Sequence, residues 1–190
     1  MYALHHVGYW VDDLDAAMKQ WSRDLDVGPF DVIEHIAFEQ FVLGAAFPAR
    51  DEIVFDHSAA FAAWGPIVVE LGQVHAIDDR LAAVYRITPG AISHVSWVVP
   101  DVGQESARLE RLGCQLINTA RSGPISVAWH EGGPLFPHPV ELHQHNDVIA
   151  GMHARLCALR MPGDRSPADG AALTPLVRYP DRRSPASAAR

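Results

Sequence analysis

The feature that most constrains this chain is a phrase that occurs twice. Val69-Glu70-Leu71-Gly72-Gln73 and Val140-Glu141-Leu142-His143-Gln144 both read Val-Glu-Leu-x-Gln. Each follows a second repeated phrase: His6-Val7-Gly8-Tyr9-Trp10-Val11-Asp12-Asp13 in one case, His94-Val95-Ser96-Trp97-Val98-Val99-Pro100-Asp101 in the other. A histidine and a glutamate therefore recur, in the same order, in stretches otherwise apolar enough to be buried strands. A carboxylate buried alone costs far more than strand contacts return. A divalent cation shared between two half-sites removes that cost. The duplication thus predicts one metal centre built from His6, Glu70, His94 and Glu141.

The repeat also sets the organisation. Residues 3–11 read as a strand rich in aromatic and β-branched side chains. Asp12 and Asp13 offer helix-capping chemistry, and Leu14, Met18, Trp21 and Leu25 follow at helical spacing until Gly28-Pro29. Strands are predicted at 31–43, 52–63 and 66–73, with a turn at Gly65-Pro66. A short helix at 77–87 ends at Pro89-Gly90. The unit then restarts with a strand at 91–99, a helix capped by Asp101, and strands at 114–119, 124–130 and 139–145. The expected class is α+β. Two tandem βαβββ modules, residues 3–74 and 91–146 with a linker at 75–90, form curved mixed sheets around a metal-containing cavity within one domain, 1–146. Residues 147–160 add a helix, and 161–190, dominated by Pro, Ala, Arg and Ser, read as a flexible tail. Module one carries extra residues, placed near Ala45–Arg50.

Alternation along a strand decides what converges. His6 shares a face with Gly8 and Trp10, and His94 with Ser96 and Val98. Glu70 groups with Val68 and Gly72, and Glu141 with His143. His5 is the rival of His6, but the repeat aligns His5 with Ser93 and His6 with His94, so His6 is preferred. Mixed nitrogen and oxygen donors suit one Mn, Co, Ni, Zn or Fe ion better than Mg or Ca.

Charge excludes some partners. The formal net charge is −8, and residues 1–146 alone carry 8 basic against 19 acidic side chains, a balance of −11. Such a body does not attract nucleic acid. No long apolar run or basic-then-apolar leader is present, and the two cysteines are too few for a disulfide framework, so a cytoplasmic protein without a membrane partner is expected.

With these residues quoted, the chain resembles the vicinal oxygen chelate superfamily over about residues 3–146. That group includes glyoxalase I, methylmalonyl-CoA epimerase, extradiol dioxygenases, fosfomycin-resistance enzymes and bleomycin-binding proteins. His6-Val7-Gly8 running to Asp13-Leu14-Asp15-Ala16-Ala17, Ser93-His94-Val95 and Val140-Glu141-Leu142 carry the likeness. It is strongest to the epimerase-like and glyoxalase-like branch, whose metal ligands map onto His6, Glu70, His94 and Glu141. The resemblance implies an isomerase, epimerase or lyase in which a metal-stabilised enolate or enediolate forms on a small carbonyl compound. It also implies homodimerisation. Methylmalonyl-CoA epimerase itself, a small-molecule binding or resistance protein of the same fold, and an oxygen-activating enzyme are the alternatives.

The base is open between several residues. The resemblance points to an acidic group on the third strand of module one and to the ligand Glu141. Here that strand offers Asp56-His57. A hairpin turning at Gly65 turns His57 inward and Asp56 outward, and a one-residue slip reverses them. His130 is expected to cap a hairpin, and His143 to border the substrate. His138, His145 and His153 read as solvated or packing residues. Trp10, Phe55, Trp64 and Trp129 are candidate walls of an apolar pocket. The scarcity of Lys and Arg, with only Arg50 and Arg121 placed to reach a cavity mouth, argues for a largely uncharged substrate rather than a coenzyme A thioester.

Overall fold

The computed structural model describes residues 3–47 and 53–158. Its strands are β1 (Ala3–Trp10), β2 (Asp31–Ile33), β3 (Gln40–Leu43), β4 (Phe55–Trp64), β5 (Ile67–Ile77), β6 (Ile92–Val99), β7 (Leu116–Ser122), β8 (Ile125–His130) and β9 (Val140–Gln144). Its helices are α1 (Leu14–Leu25), α2 (Asp79–Tyr85), α3 (Val102–Arg111) and α4 (Asp147–Ala158). The expected tail, 161–190, lies outside the described residues, as do Arg50 and Glu52. Among the described residues no helix is long and apolar enough to cross a membrane.

The halves repeat each other. β1 runs parallel to β5, β5 antiparallel to β4, and β2 flanks β4. In the second half β6 runs parallel to β9, β9 antiparallel to β8, and β7 flanks β8. The last glutamine of each repeated phrase now has a role. Gln73 Oε1 accepts from the Leu14 N–H at 2.9 Å, and Gln144 Oε1 accepts from the Val102 N–H at 3.0 Å. Each glutamine thus satisfies a backbone donor that opens a helix, beside the caps Asp13 and Asp101, whose carboxylates accept from Ala16 and Gln104 at 2.8 Å. Three positions separate each glutamine from its glutamate. On a strand that sends Glu to one face and Gln to the other, where α1 and α3 lie.

Two expectations are corrected. The modules do not form separate sheets: β1 and β6 pair antiparallel, giving one nine-stranded sheet in the order β2-β4-β5-β1-β6-β9-β8-β7-β3. The segment 31–43 is not one strand either. It breaks after Ile33, His35 takes a left-handed φ of 48°, and β3 crosses to pair with β7 of the other half. Both edges of the sheet are therefore joined by residues 34–39, which span at most about 20 Å. That tether goes with a strong curl into a half-barrel.

α1 and α3 cover the convex face. Leu14, Met18 and Trp21 pack on Ala60 and Leu71, while Val102 and Leu109 pack on Ala128 and Leu142. The concave side holds Trp10, Ile117, Val127 and Trp129, with Leu81 and Tyr85 of α2 packed among them. α4 folds onto the first half, where Leu156 and Met152 meet Ala59, Phe61 and Val68.

Candidate metal centre

The four duplicated residues sit on two neighbouring rungs of the central strands. In one rung Glu70 pairs with Gly8, and Gly8 with His94. In the other, His6 pairs with Ser96, and Ser96 with Glu141. A small residue thus separates histidine from glutamate in each. At Gly8 this is obligatory, since a Cβ there would lie 2.2 Å from His94 Cε1 and 2.6 Å from Ser93 Oγ.

Side-chain atoms converge on one point. His6 Nε2 lies 2.8 Å from His94 Nε2, 2.8 Å from Glu70 Oε2 and 3.3 Å from Glu141 Oε2. His94 Nε2 is 3.4 Å from Glu70 Oε2 and 3.6 Å from Glu141 Oε2. Metal bonds of about 2.0–2.2 Å at roughly 90–110° put neighbouring donors about 3.0–3.5 Å apart. The donor set and its spacing therefore fit a divalent transition ion.

Two β-bulges orient the imidazoles. The β1–β6 register slips between Leu4 and His6 and again between Gly8 and Tyr9, leaving His5 and Ser93 as the extra residues. Each stands immediately before a converging histidine. His5 Nδ1 is 2.7 Å from His6 Nδ1, and Ser93 Oγ is 2.8 Å from His94 Nδ1. Occupying Nδ1 leaves Nε2 directed at the centre. Burial, with His143 and His6 adding to it, drives the His5 imidazole far down, so it stays neutral. Glu141 is held as well: its Oε1 accepts from the Trp129 indole at 2.9 Å, and His143 Nε2 lies 3.0 Å from its Oε2.

The cluster attracts positive charge. Burial opposes protonation of His6, but Glu70 and Glu141 outweigh it and raise its imidazole to about 9. Burial likewise opposes ionisation of the two glutamates. The imidazoles of His6 and His94 beside Glu70, and of His143 beside Glu141, overcome it and hold both carboxyls well below the usual carboxylate range.

Above the centre opens a cavity with ≈ 90 Å³ of space for water. Ile33, Ile36, Phe38, Phe41, Phe55 and Phe61 form one wall, Ile125, Val127 and Trp129 another, and Ile149 and Met152 of α4 a third. Its polar groups are few: His5, His57, Tyr85, Asn118 and His143 beside the cluster itself. Among the described residues no lysine or arginine lines it. Tyr85 donates to Asn118 Oδ1, and burial, with Glu141 nearby, pushes its phenol well above the ordinary value.

The structure places the other sequence candidates as follows. His57 faces the cavity, stacked on Phe55 at 4.3 Å between ring centres, with Nδ1 buried and unpartnered. Asp56 is turned away. A bulge between Asp56 and His57 leaves it partly exposed against His35, 2.9 Å from Nδ1, so it does not reach the cluster. His130 caps no hairpin. It is fully buried, 2.8 Å from Ser106 Oγ and 3.0 Å from the Cys114 carbonyl, pinning β8 to α3. Trp64 packs near Trp21 on the convex side, and Trp10, under Gly72, lies behind the cavity. Arg121 is a β7 residue bonded to Gln40, not a loop residue at the mouth. His138 Nδ1 lies near the Pro139 carbonyl at 2.9 Å, His145 is exposed, and His153 sits 6.0 Å from His5. Tyr85, Asn118, Ile149 and Met152 carried no sequence signal of their own. His5 and Ser93 did, because the repeat aligns them.

The family model of the glyoxalase/bleomycin resistance protein/dioxygenase superfamily matches residues 5–129. The chain belongs to this superfamily. The match takes in His6, Glu70 and His94 and stops before Glu141. Among solved structures, a hypothetical protein from Bacillus halodurans C-125 is similar at 15% identity and a TM-score of 0.54, over 77% of this chain and 96% of that one. Methylmalonyl-CoA epimerase from Mycobacterium tuberculosis is similar at 16% identity and a TM-score of 0.50, over 78% of this chain and 91% of that one. At these identities the superfamily fold is what is shared. A search of curated protein sequences gave no match.

Proposed function

We propose that this superfamily member is a metal-dependent enzyme of the glyoxalase–epimerase kind, moving a proton on a small, largely apolar carbonyl compound. The observation that carries the reading is the convergence of two imidazole nitrogens and two carboxylates at the floor of an apolar cavity. His6, Glu70, His94 and Glu141 would hold the ion. A divalent cation there supplies a Lewis acid for a carbonyl oxygen and so lowers the barrier to losing a proton from the adjacent carbon.

The remaining work falls to the chain. The apolar wall excludes water and selects apolar substituents. His57 is the proposed base. Burial takes its imidazole down to about 4, against the opposing pull of Glu70 and Glu141, so it is neutral and able to accept. Glu141 is less free to accept, because both its oxygens already have partners. His57 then returns the proton to the neighbouring carbon from the same side, so that one base completes an isomerisation. Tyr85 and Asn118 offer the polar contact that orients the substrate. Among the described residues no Lys or Arg lines the cavity to anchor coenzyme A phosphates, which supports a substrate other than methylmalonyl-CoA.

Metal-loaded protein is assayed for proton exchange in deuterated water against small α-hydroxy- and α-keto-carbonyl compounds, thiohemiacetals and methylmalonyl-CoA. Exchange with an uncharged compound, lost in His94→Ala and in His57→Gln, supports the reading. Rapid exchange on methylmalonyl-CoA makes the epimerase assignment correct instead. Tight binding of an apolar compound that a chelator leaves unchanged, with no exchange on any substrate, favours a sequestering protein, for which the aromatic wall is equally suited.

A further inference from the structure

We propose that His35, Asp56 and His75 form a second cation site, on the outer surface of the first half, for a divalent transition ion of the zinc, nickel or copper type. The three come from separate stretches: His35 from the segment joining β2 to β3, Asp56 from the start of β4, His75 from the end of β5. One potential ligand atom from each lies within 4.8 Å of the others. His35 Nδ1 is 2.9 and 3.0 Å from the two Asp56 oxygens. The rings of His35 and His75 are 4.5 Å apart, tilted by 31°. Two imidazoles and one carboxylate facing solvent make a donor set for borderline ions, with positions left for water.

The arrangement is held in place. His35 adopts its left-handed backbone, uncommon outside glycine, with its N–H donating to Ser58 Oγ at 3.0 Å. The same buried hydroxyl lies 2.7 Å from His75 Nε2. Ser58 thus fixes the backbone of one histidine and the ring of the other, as hydrogen-bonding partners of metal-binding histidines do. The adjoining surface hollow is lined by Asp13, Asp15 and Glu34, and among the described residues by no lysine or arginine. Its negative potential favours a cation.

The position has a consequence. Residues 34–39 also carry Ile36 and Phe38, which wall the buried cavity, and Asp56 precedes His57. A cation bound outside ties this segment to β4 and β5, and so fastens that wall.

The test counts zinc on untagged, full-length protein equilibrated against buffered free Zn²⁺, for wild type, His35→Ala/His75→Ala, Asp56→Asn and His94→Ala, with circular dichroism as the folding control. Wild type is expected to take up two equivalents. The His35/His75 double variant and Asp56→Asn lose the weaker one, and His94→Ala loses the tighter one. A wild-type isotherm unchanged in the double variant and in Asp56→Asn overturns the proposal. The His94→Ala arm reports separately on the buried centre, so failure of one site is distinguishable from failure of the other.

Discussion

Gly8 and Ser96 decide whether two histidines and two glutamates can meet across four strands. A methyl at Gly8 would overlap the His94 ring and the Ser93 hydroxyl. Gly8→Ala is therefore expected to displace His94, cost about 1–3 kcal/mol of stability through overpacking and reduce metal content. Urea unfolding read beside metal analysis checks both. Loss of stability with full metal occupancy would show that His94 need not hold its place. His57 gives a pH signature. Its folded value of about 4 lies below the ordinary 6.5, so the unfolded chain takes up the proton more readily. That contribution to stability is complete above about pH 6.5 and is lost as pH falls toward 4, reaching about 3 kcal/mol at 1.36 kcal/mol per unit. His57→Phe, which keeps the stacking on Phe55, is expected to lose about 2 kcal/mol less than wild type between pH 6.5 and 5. Parallel pH–stability curves would contradict it.

At the scale of elements, the repeated phrase couples a strand to a helix. Glu70 and Glu141 face inward, while Gln73 and Gln144 turn outward to the first N–H groups of α1 and α3. Gln73→Ala and Gln144→Ala are each expected to cost about 1 kcal/mol, the usual worth of a helix-opening acceptor. The two effects should add, since the sites share no partner. Thermal unfolding of both single variants and the double variant measures this. A double variant no worse than either single one would mean that the glutamines do not act at separate helices.

At the scale of the molecule, the β1–β6 seam brings two half-sites into one centre. A divalent ion held there, as proposed, would stabilise the folded chain by mass action, about 4 kcal/mol when free metal is a thousandfold above its dissociation constant. Chelation is expected to lower the unfolding midpoint of wild type by clearly more than that of His94→Ala, which keeps only the weaker outer site. Equal shifts in both would place the stabilising ion elsewhere. The sequence by itself determined the two βα-starting modules, the helix caps Asp13 and Asp101 and the identity of the four converging residues. All of these follow from alternation and from duplication, which are local rules. Only the tertiary structure decided that the halves share one sheet, that β3 leaves its own module for β7, that Asp56 turns outward to His35, and that α4 closes the cavity. Strand partners and bulges depend on which edges meet after collapse. A four-residue strand such as Gln40–Leu43 has the same alternation wherever it pairs, so its destination is set by the surfaces available to it and not by its own side chains.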